Sequence, residues 1–326
     1  VRRDRPGRIC VVAVHLQEAG VTNRGGHTNK SRTRQEGEVA MPTFATPGPI
    51  AATVEVAGAQ VRVTASDRTD TAVLVEPINE ASRSDVKVAE KTKVEFAGGQ
   101  LSVKTTVPGH KNRSVAITIE LPTGSSFAAY LAHSEVHADG SFGGCELHVA
   151  SGRVQVDRID TLRANIASGE VAIGHIAGRA DIEGGAFAIR IGEVEGAVRL
   201  SNSGGQAWIG HASADLDLSS ASCDFDIDRA DGSIAAMTAS GAIRIGRMTH
   251  GPAKLTNGSG NIEVGISEGT AAYLDVNSER GSVRDAVSVL GNPGPAGTRV
   301  SVHARTRHGD IVIRRAGQKA SVVSTS

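Results

Sequence analysis

The residues with the strongest claim to chemistry lie in "DLDLSSASCDFDIDRADG", Asp215 to Gly232. Such a run could supply the paired carboxylates of glycoside hydrolysis, about 5 Å apart for a retaining reaction or wider with a water between them. Trp208, the sole tryptophan, could add a platform for a sugar ring. The pattern of the segment argues for a different role. Leu216, Leu218, Phe225 and Ile227 alternate with the aspartates, so the carboxylates read as the outward half of a half-buried strand, where polar side chains are the default.

No other segment has the spacing of a reactive site. Cys10, Cys145 and Cys223 are odd in number and lack metal-ligand spacing, so neither a disulfide framework nor a zinc site is indicated. The histidines are dispersed, and no GxSxG nucleophile motif or GGxGxDxUx calcium repeat occurs. "GSGNIEVG" is glycine-rich but joins two β runs, which is not the strand-to-helix setting of a phosphate loop. Lys and Arg total 35, as do Asp and Glu, so the chain lacks the positive field of a nucleic-acid binder. No cofactor is implied.

What must position these side chains is a repeat. Leu162, Ala180, Val198, Leu216 and Ile234 recur every 18 residues, and Ala253 follows after 19. Val156, Ile173, Ile191, Ile209, Ile227, Ile245 and Val264 keep nearly the same step. Each unit holds two short alternating runs joined at a Ser-Gly pair, such as Ser168-Gly169, Ser203-Gly204 or Ser240-Gly241. Repeats of this length with strands in every unit predict an all-β fold: a single-chain β-solenoid, stacked in coils of about 18 residues. Stacking is required, because one coil loses roughly 1 to 2 kcal/mol of backbone entropy per residue. Its five or so inward aliphatics return only about 1.5 to 3 kcal/mol each.

Aligning the coils gives an outward file of Arg190, Trp208, Asp226, Arg244 and Glu263, with Arg284 expected beyond it. Its charges are matched along the stack, which leaves no free carboxylate to act as a general acid. These five residues are the candidate interaction face. The same alignment sets Cys223 where the next coil has Gly241, predicting a strained turn that glycine would relieve.

Around the repeats (141–282) we expect a β-rich N-terminal lead-in over 41–140, with hairpins at "AGA" and "AGG" and no helical periodicity anywhere. Capping strands over 283–316 would end in a charged closing edge, "TRVSVHARTRHGDIVIRR". Residues 1–40 carry eight Lys and Arg against four Asp and Glu with no aromatic residue, and they read as a disordered basic extension ahead of Met41. The last ten residues, 317–326, read as a disordered tail. No apolar run approaches the roughly 20 residues of a membrane-spanning helix, and "ICVVAVHL" lacks a signal-peptide cleavage site. A cytoplasmic location is therefore expected.

The repeats, with "PGPIAATVEVAGAQVRVTASDRTDTAVLVEP" before them and "GTAAYLDVNSERGSV" and "VHARTRHGDIVIRR" after them, resemble a bacterial, actinobacterial-type family of β-strand-repeat proteins. That family is similar to auto-transporter adhesin head domains. The resemblance covers about Met41 to Ala316; it implies a β-solenoid and brings no catalytic residues. The expected function is a non-catalytic scaffold or protein-interaction module with a protein partner. The alternative is a carbohydrate-active enzyme or sugar-binding β-helix using the Asp215–Asp228 face and Trp208.

Overall fold

The computed structural model describes residues 43–106, 114–287 and 299–317. The basic extension over 1–40, Met41, Cys10 and the tail from 318 onward lie outside the described residues. Alternating aliphatics set off by Gly and Ser form strands throughout. The described residues hold nineteen strands, linked in one sheet, and one helix.

The N-terminal part comprises β1 (Thr43–Ala45), β2 (Ala51–Ala57), β3 (Ala59–Ser66), β4 (Asp70–Pro77), α1 (Arg83–Lys91), β5 (Thr92–Ala97), β6 (Gln100–Thr105) and β7 (Val115–Pro122). Helix α1 corrects the all-β expectation to mostly β. At nine residues it is too short for apolar spacing to recur visibly. The Ser82 hydroxyl caps it by accepting from the Asp85 N–H, and buried Val88 and Ala89 anchor it. The "AGG" hairpin is present: Gly98 and Gly99 both take positive φ (57° and 76°) between antiparallel β5 and β6, as a two-residue primed turn requires. The "AGA" hairpin is not. Gly58 is a corner between β2 and β3, which pair with other strands and not with each other.

The repeat begins in β8 (Ser126–Ile176), a continuous strand of 51 residues. Straight, it would reach roughly 170 Å at about 3.3 Å per residue. It bends instead at glycines with positive φ, including Gly152 (146°) and Gly169 (124°), and continues as strand beyond each bend. β2 pairs in parallel with β8 over residues 126–132, and β3 over residues 135–139. β9 (Ala180–Val194), β10 (Val198–Ala212) and β11 (Leu216–Ala230) follow, each parallel to the one before. Leu162, Ala180, Val198, Leu216, Ile234 and Ala253 are register partners in sequence, as the period predicts, and none exceeds 3% exposure. Register and core are thus two views of one column.

At the corners, glycine brings successive backbones close together. A Cβ on Gly205 or Gly241 would overlap the carbonyl of Phe187 or Cys223 one layer below. Cys223 itself corrects the strained-turn expectation. Among the described residues His133 is the one non-glycine with positive φ, so Cys223 is unstrained there, and its side chain is 1% exposed. The sequence alignment with Gly241 is right in register, but the side chain points inward, where its thiol donates to the Asp224 carbonyl at 3.4 Å. Beside this corner runs a buried polar column. The Asn202 and Asn257 amides donate to the carbonyls of Gly204 and Gly241, and the Thr238 hydroxyl donates to that of Ser240, satisfying groups that the bend removes from the ladder.

The last strands are β12 (Ile234–Ser240), β13 (Ile243–Met248), β14 (Gly251–Ser259), β15 (Ile262–Ile266), β16 (Ala271–Arg280), β17 (Val283–Asp285), β18 (Arg299–His308) and β19 (Ile311–Arg315). Their spatial order differs from the chain order. β18 lies between β14 and β16, and β19 between β15 and β17. The Arg299–Arg307 stripe is therefore an interior layer and not a closing edge, which corrects that expectation. β16 and β17 form the terminal layer. A chain that doubles back leaves no mark in the period, because β18 keeps the apolar alternation of the strands it separates.

Candidate functional site

The expected face is assembled by register. Arg190, Trp208, Asp226, Arg244 and Glu263 are successive partners across five layers. The Arg244 guanidinium lies 2.6 Å from the Asp226 carboxylate and 3.8 Å from that of Asp228. Glu263 is bound by Arg314 at 2.6 Å. Beyond Glu263 stands Val312, with Arg284 one layer further, because β19 is interposed. Trp208 is half-buried; its ring edge lies 3.0 Å from where a Cβ on Gly210 would sit, so it lies back on the chain two residues along.

The aspartate-rich strand is matched from the neighbouring layers. Asp215 accepts the Ser233 N–H at 3.0 Å, and Asp224 accepts the Ala242 N–H at 2.8 Å. Asp217 faces Arg199 at 3.5 Å. Hydrogen bonding from Ser233 holds the Asp215 carboxyl below the usual carboxylate range, opposite to what a general acid needs.

A second cluster escaped the sequence reading. At one edge of the stack His211 Nδ1 lies 3.2 Å from Glu193 and its Nε2 lies 2.8 Å from Asp231. Asp231 also accepts from Arg229 and from the Thr249 hydroxyl at 2.7 Å. Burial opposes ionisation of Asp231, but these donors outweigh it and hold the carboxyl down at about 2. The Thr249 hydroxyl donates to Asp231 instead of facing His211, so no activated nucleophile results. No group of three or more metal-ligating side chains is assembled among the described residues. The signal in the sequence was the 18-residue interval from Glu193 to His211 and from Asp231 to Thr249.

A concavity was also missed. A groove of about 820 Å³ runs across the layers from Arg179 to Arg305. One wall column is Arg179, Ala197, Asp215, Ser233 and Pro252; the other is Arg199, Asp217, Ala235, Lys254 and His303. Ala197, Ser233 and Ala235 are short where the flanking layers carry Arg, Lys or Asp, and that drop in length makes the depression. Arg199 and Asp217 face each other, and Arg179 and Arg305 are held by Asp181 and Asp275. Lys254 makes no ion pair among the described residues. Its column breaks the alternation of charge at Ala235, a signal visible only once the layers are set in register.

Comparison with known proteins matches residues 52–314 to a family model described as Toastrack DUF4097. No curated protein matches. Solved structures similar to this chain include a "putative adhesin" from Parabacteroides distasonis, 12% identical over 86% of this chain and 98% of that one, with a TM-score of 0.34. Another, from Parabacteroides merdae, is 9% identical over 84% and 95%, with a TM-score of 0.33.

Proposed function

Since the chain belongs to the Toastrack DUF4097 family, we propose that it is a non-catalytic β-solenoid whose regular stack serves as an interaction module. The groove between Ala197 and Ala235 is its contact surface. The observation that carries this reading is the groove itself: small side chains over a rigid parallel ladder, rimmed by long charged ones, with Lys254 uncompensated. Rigid elements lower the entropy lost on binding. The matched carboxylates of Asp215, Asp224 and Asp226 support a surface that binds without chemistry.

The test uses immobilised protein and its Ala235→Arg variant, which fills the groove, against extract of the source organism. A protein retained by the first and lost from the second supports the reading. Equal retention by both refutes the groove as the contact surface. Cleavage of a polysaccharide that Asp217→Asn abolishes would refute the non-catalytic reading.

A further inference from the structure

The groove is one part of a longer trough. A second depression, of about 430 Å³, takes in Thr53, Ala128, Glu146 and Arg163, and Arg179 lines both, so the two meet there. One outward file runs along them: Arg163, Asp181, Arg199, Asp217, Ala235 and Lys254 are successive register partners across six layers.

The inner charges of this file are spent. Asp181 is taken by Arg179 at 2.7 Å, and Asp217 faces Arg199 at 3.5 Å. The other two lining carboxylates are engaged as well, Asp215 by the Ser233 N–H at 3.0 Å and Glu146 by His148 at 2.8 Å. The cations at the two ends of the file are not: Arg163 and Lys254 are exposed and make no ion pair among the described residues. They stand five layers apart, about 24 Å at about 4.8 Å per layer. Between them one layer breaks the polar pattern. Met237 takes its place in the file Ser201, Ser219, Met237 and Thr256, and it is 57% exposed two residues from Ala235. β12 thus presents a methyl group and a flexible thioether where its neighbours present charges and hydroxyls. Exposed methionine suits a surface that moulds itself to a partner's side chains.

Resting on the contact-surface reading above, we infer that the trough takes an acidic, extended segment of a partner protein lying along the stack. Its carboxylates meet Arg163 and Lys254, and an aliphatic side chain between them covers Ala235 and Met237. About seven residues of extended chain, at about 3.4 Å each, span the two cations. β9 to β12 are paired on both sides, so their backbones have no edge to offer and recognition falls to side chains. The one Phe, Tyr or Trp lining the trough among the described residues, Phe127, is 1% exposed, which leaves a sugar no ring to stack on. A nucleic acid would carry a phosphate at every nucleotide past Asp181 and Asp217, whereas a peptide can confine its charges to the two ends.

Selection of phage-displayed random dodecapeptides on the immobilised full chain at physiological ionic strength tests this, followed by anisotropy titration of the selected peptides in synthetic form. The enriched pool should carry Asp or Glu at both ends of an aliphatic stretch. Arg163→Glu and Lys254→Glu should each weaken binding at least tenfold, and Met237→Ser severalfold, with the far-UV melt of the parent retained because all three side chains are exposed. A pool reselected on the Arg163→Glu, Lys254→Glu double variant should turn basic. The inference fails if no peptide is enriched, if the pool has no acidic bias, or if both charge-reversed variants bind the peptides like the parent. It fails equally if polygalacturonate or oligothymidylate displaces the peptides at matched charge concentration, since the trough would then answer to any polyanion. Loss of binding in Ala235→Arg alone would overturn the acidic partner and keep the groove as a contact surface; acidic peptides that bind Ala235→Arg unchanged would overturn both.

Discussion

Replacing Cys223 by glycine should destabilise the protein, although the residue occupies a column rich in corner glycines. The side chain is 1% exposed, its backbone is outside the positive-φ region, and its thiol donates to the Asp224 carbonyl at 3.4 Å. Glycine would thus relieve no strain. Loss of a buried small apolar side chain contributes about 1 to 1.5 kcal/mol, and the cavity left behind adds up to about 1 kcal/mol. Glycine within a strand adds roughly 0.5 to 1 kcal/mol more. The expected total is about 1.5 to 3.5 kcal/mol. Urea melts under reducing conditions would measure it, with Cys223→Ala alongside; the alanine variant keeps the Cβ and should lose about half as much. A change within about 0.5 kcal/mol, the range of ordinary surface substitutions, or a gain in stability, would refute an inward thiol.

Other outcomes follow from the same contacts. Asn257→Ala removes a donor to the Gly241 carbonyl at 2.6 Å and an acceptor for the Ser259 N–H at 2.8 Å. It should cost about 1 to 3 kcal/mol and speed hydrogen exchange at Ser259. Asp231 has a carboxyl lowered from 3.8 to about 2, so the folded state favours its ionised form. Its contribution of about 2 kcal/mol is present above pH 4 and is lost as the pH falls from 3.8 toward 2; Asp231→Asn should remove it at neutral pH and flatten that part of an acid melt. Burial pushes the Cys145 thiol up to about 12, with Glu146 adding to the effect, and burial also raises that of Cys223. In a Cys10→Ser protein, a thiol reagent at pH 8 should label neither until denaturant is added.

The interval between layers was legible in the sequence because each layer must offer the next both a backbone ladder and a matching apolar column. Leu162 to Ala253 carry both signals at once. The outward file from Arg190 to Glu263 followed from the same interval and is brought together in the structure. What failed was information that a period does not contain. β18 alternates like any inner strand, so nothing in Arg299–His308 revealed that it separates β14 from β16. Helix α1 is held by its caps and by two buried apolar residues, Val88 and Ala89, too few to register as a pattern. At Cys223, local alignment with glycine suggested strain, whereas the backbone there stays outside the positive-φ region and the side chain is buried. The groove was present in the sequence as the change from Arg199 and Asp217 to Ala235, but side-chain length becomes shape only when layers are superposed.

The groove and the Trp208 file both depend on layers set 18 residues apart, and disulfide trapping tests that register most directly. In a Cys10→Ser background, Asp217→Cys with Ala235→Cys places two thiols on adjacent parallel strands, about 5 Å apart between Cα atoms, within disulfide reach. Arg199→Cys with Ala235→Cys places them two layers apart, near 10 Å and out of reach. Mild oxidation should close the first pair rapidly and leave the second open. Closure of the second pair in place of the first would contradict the stack on which the functional reading rests.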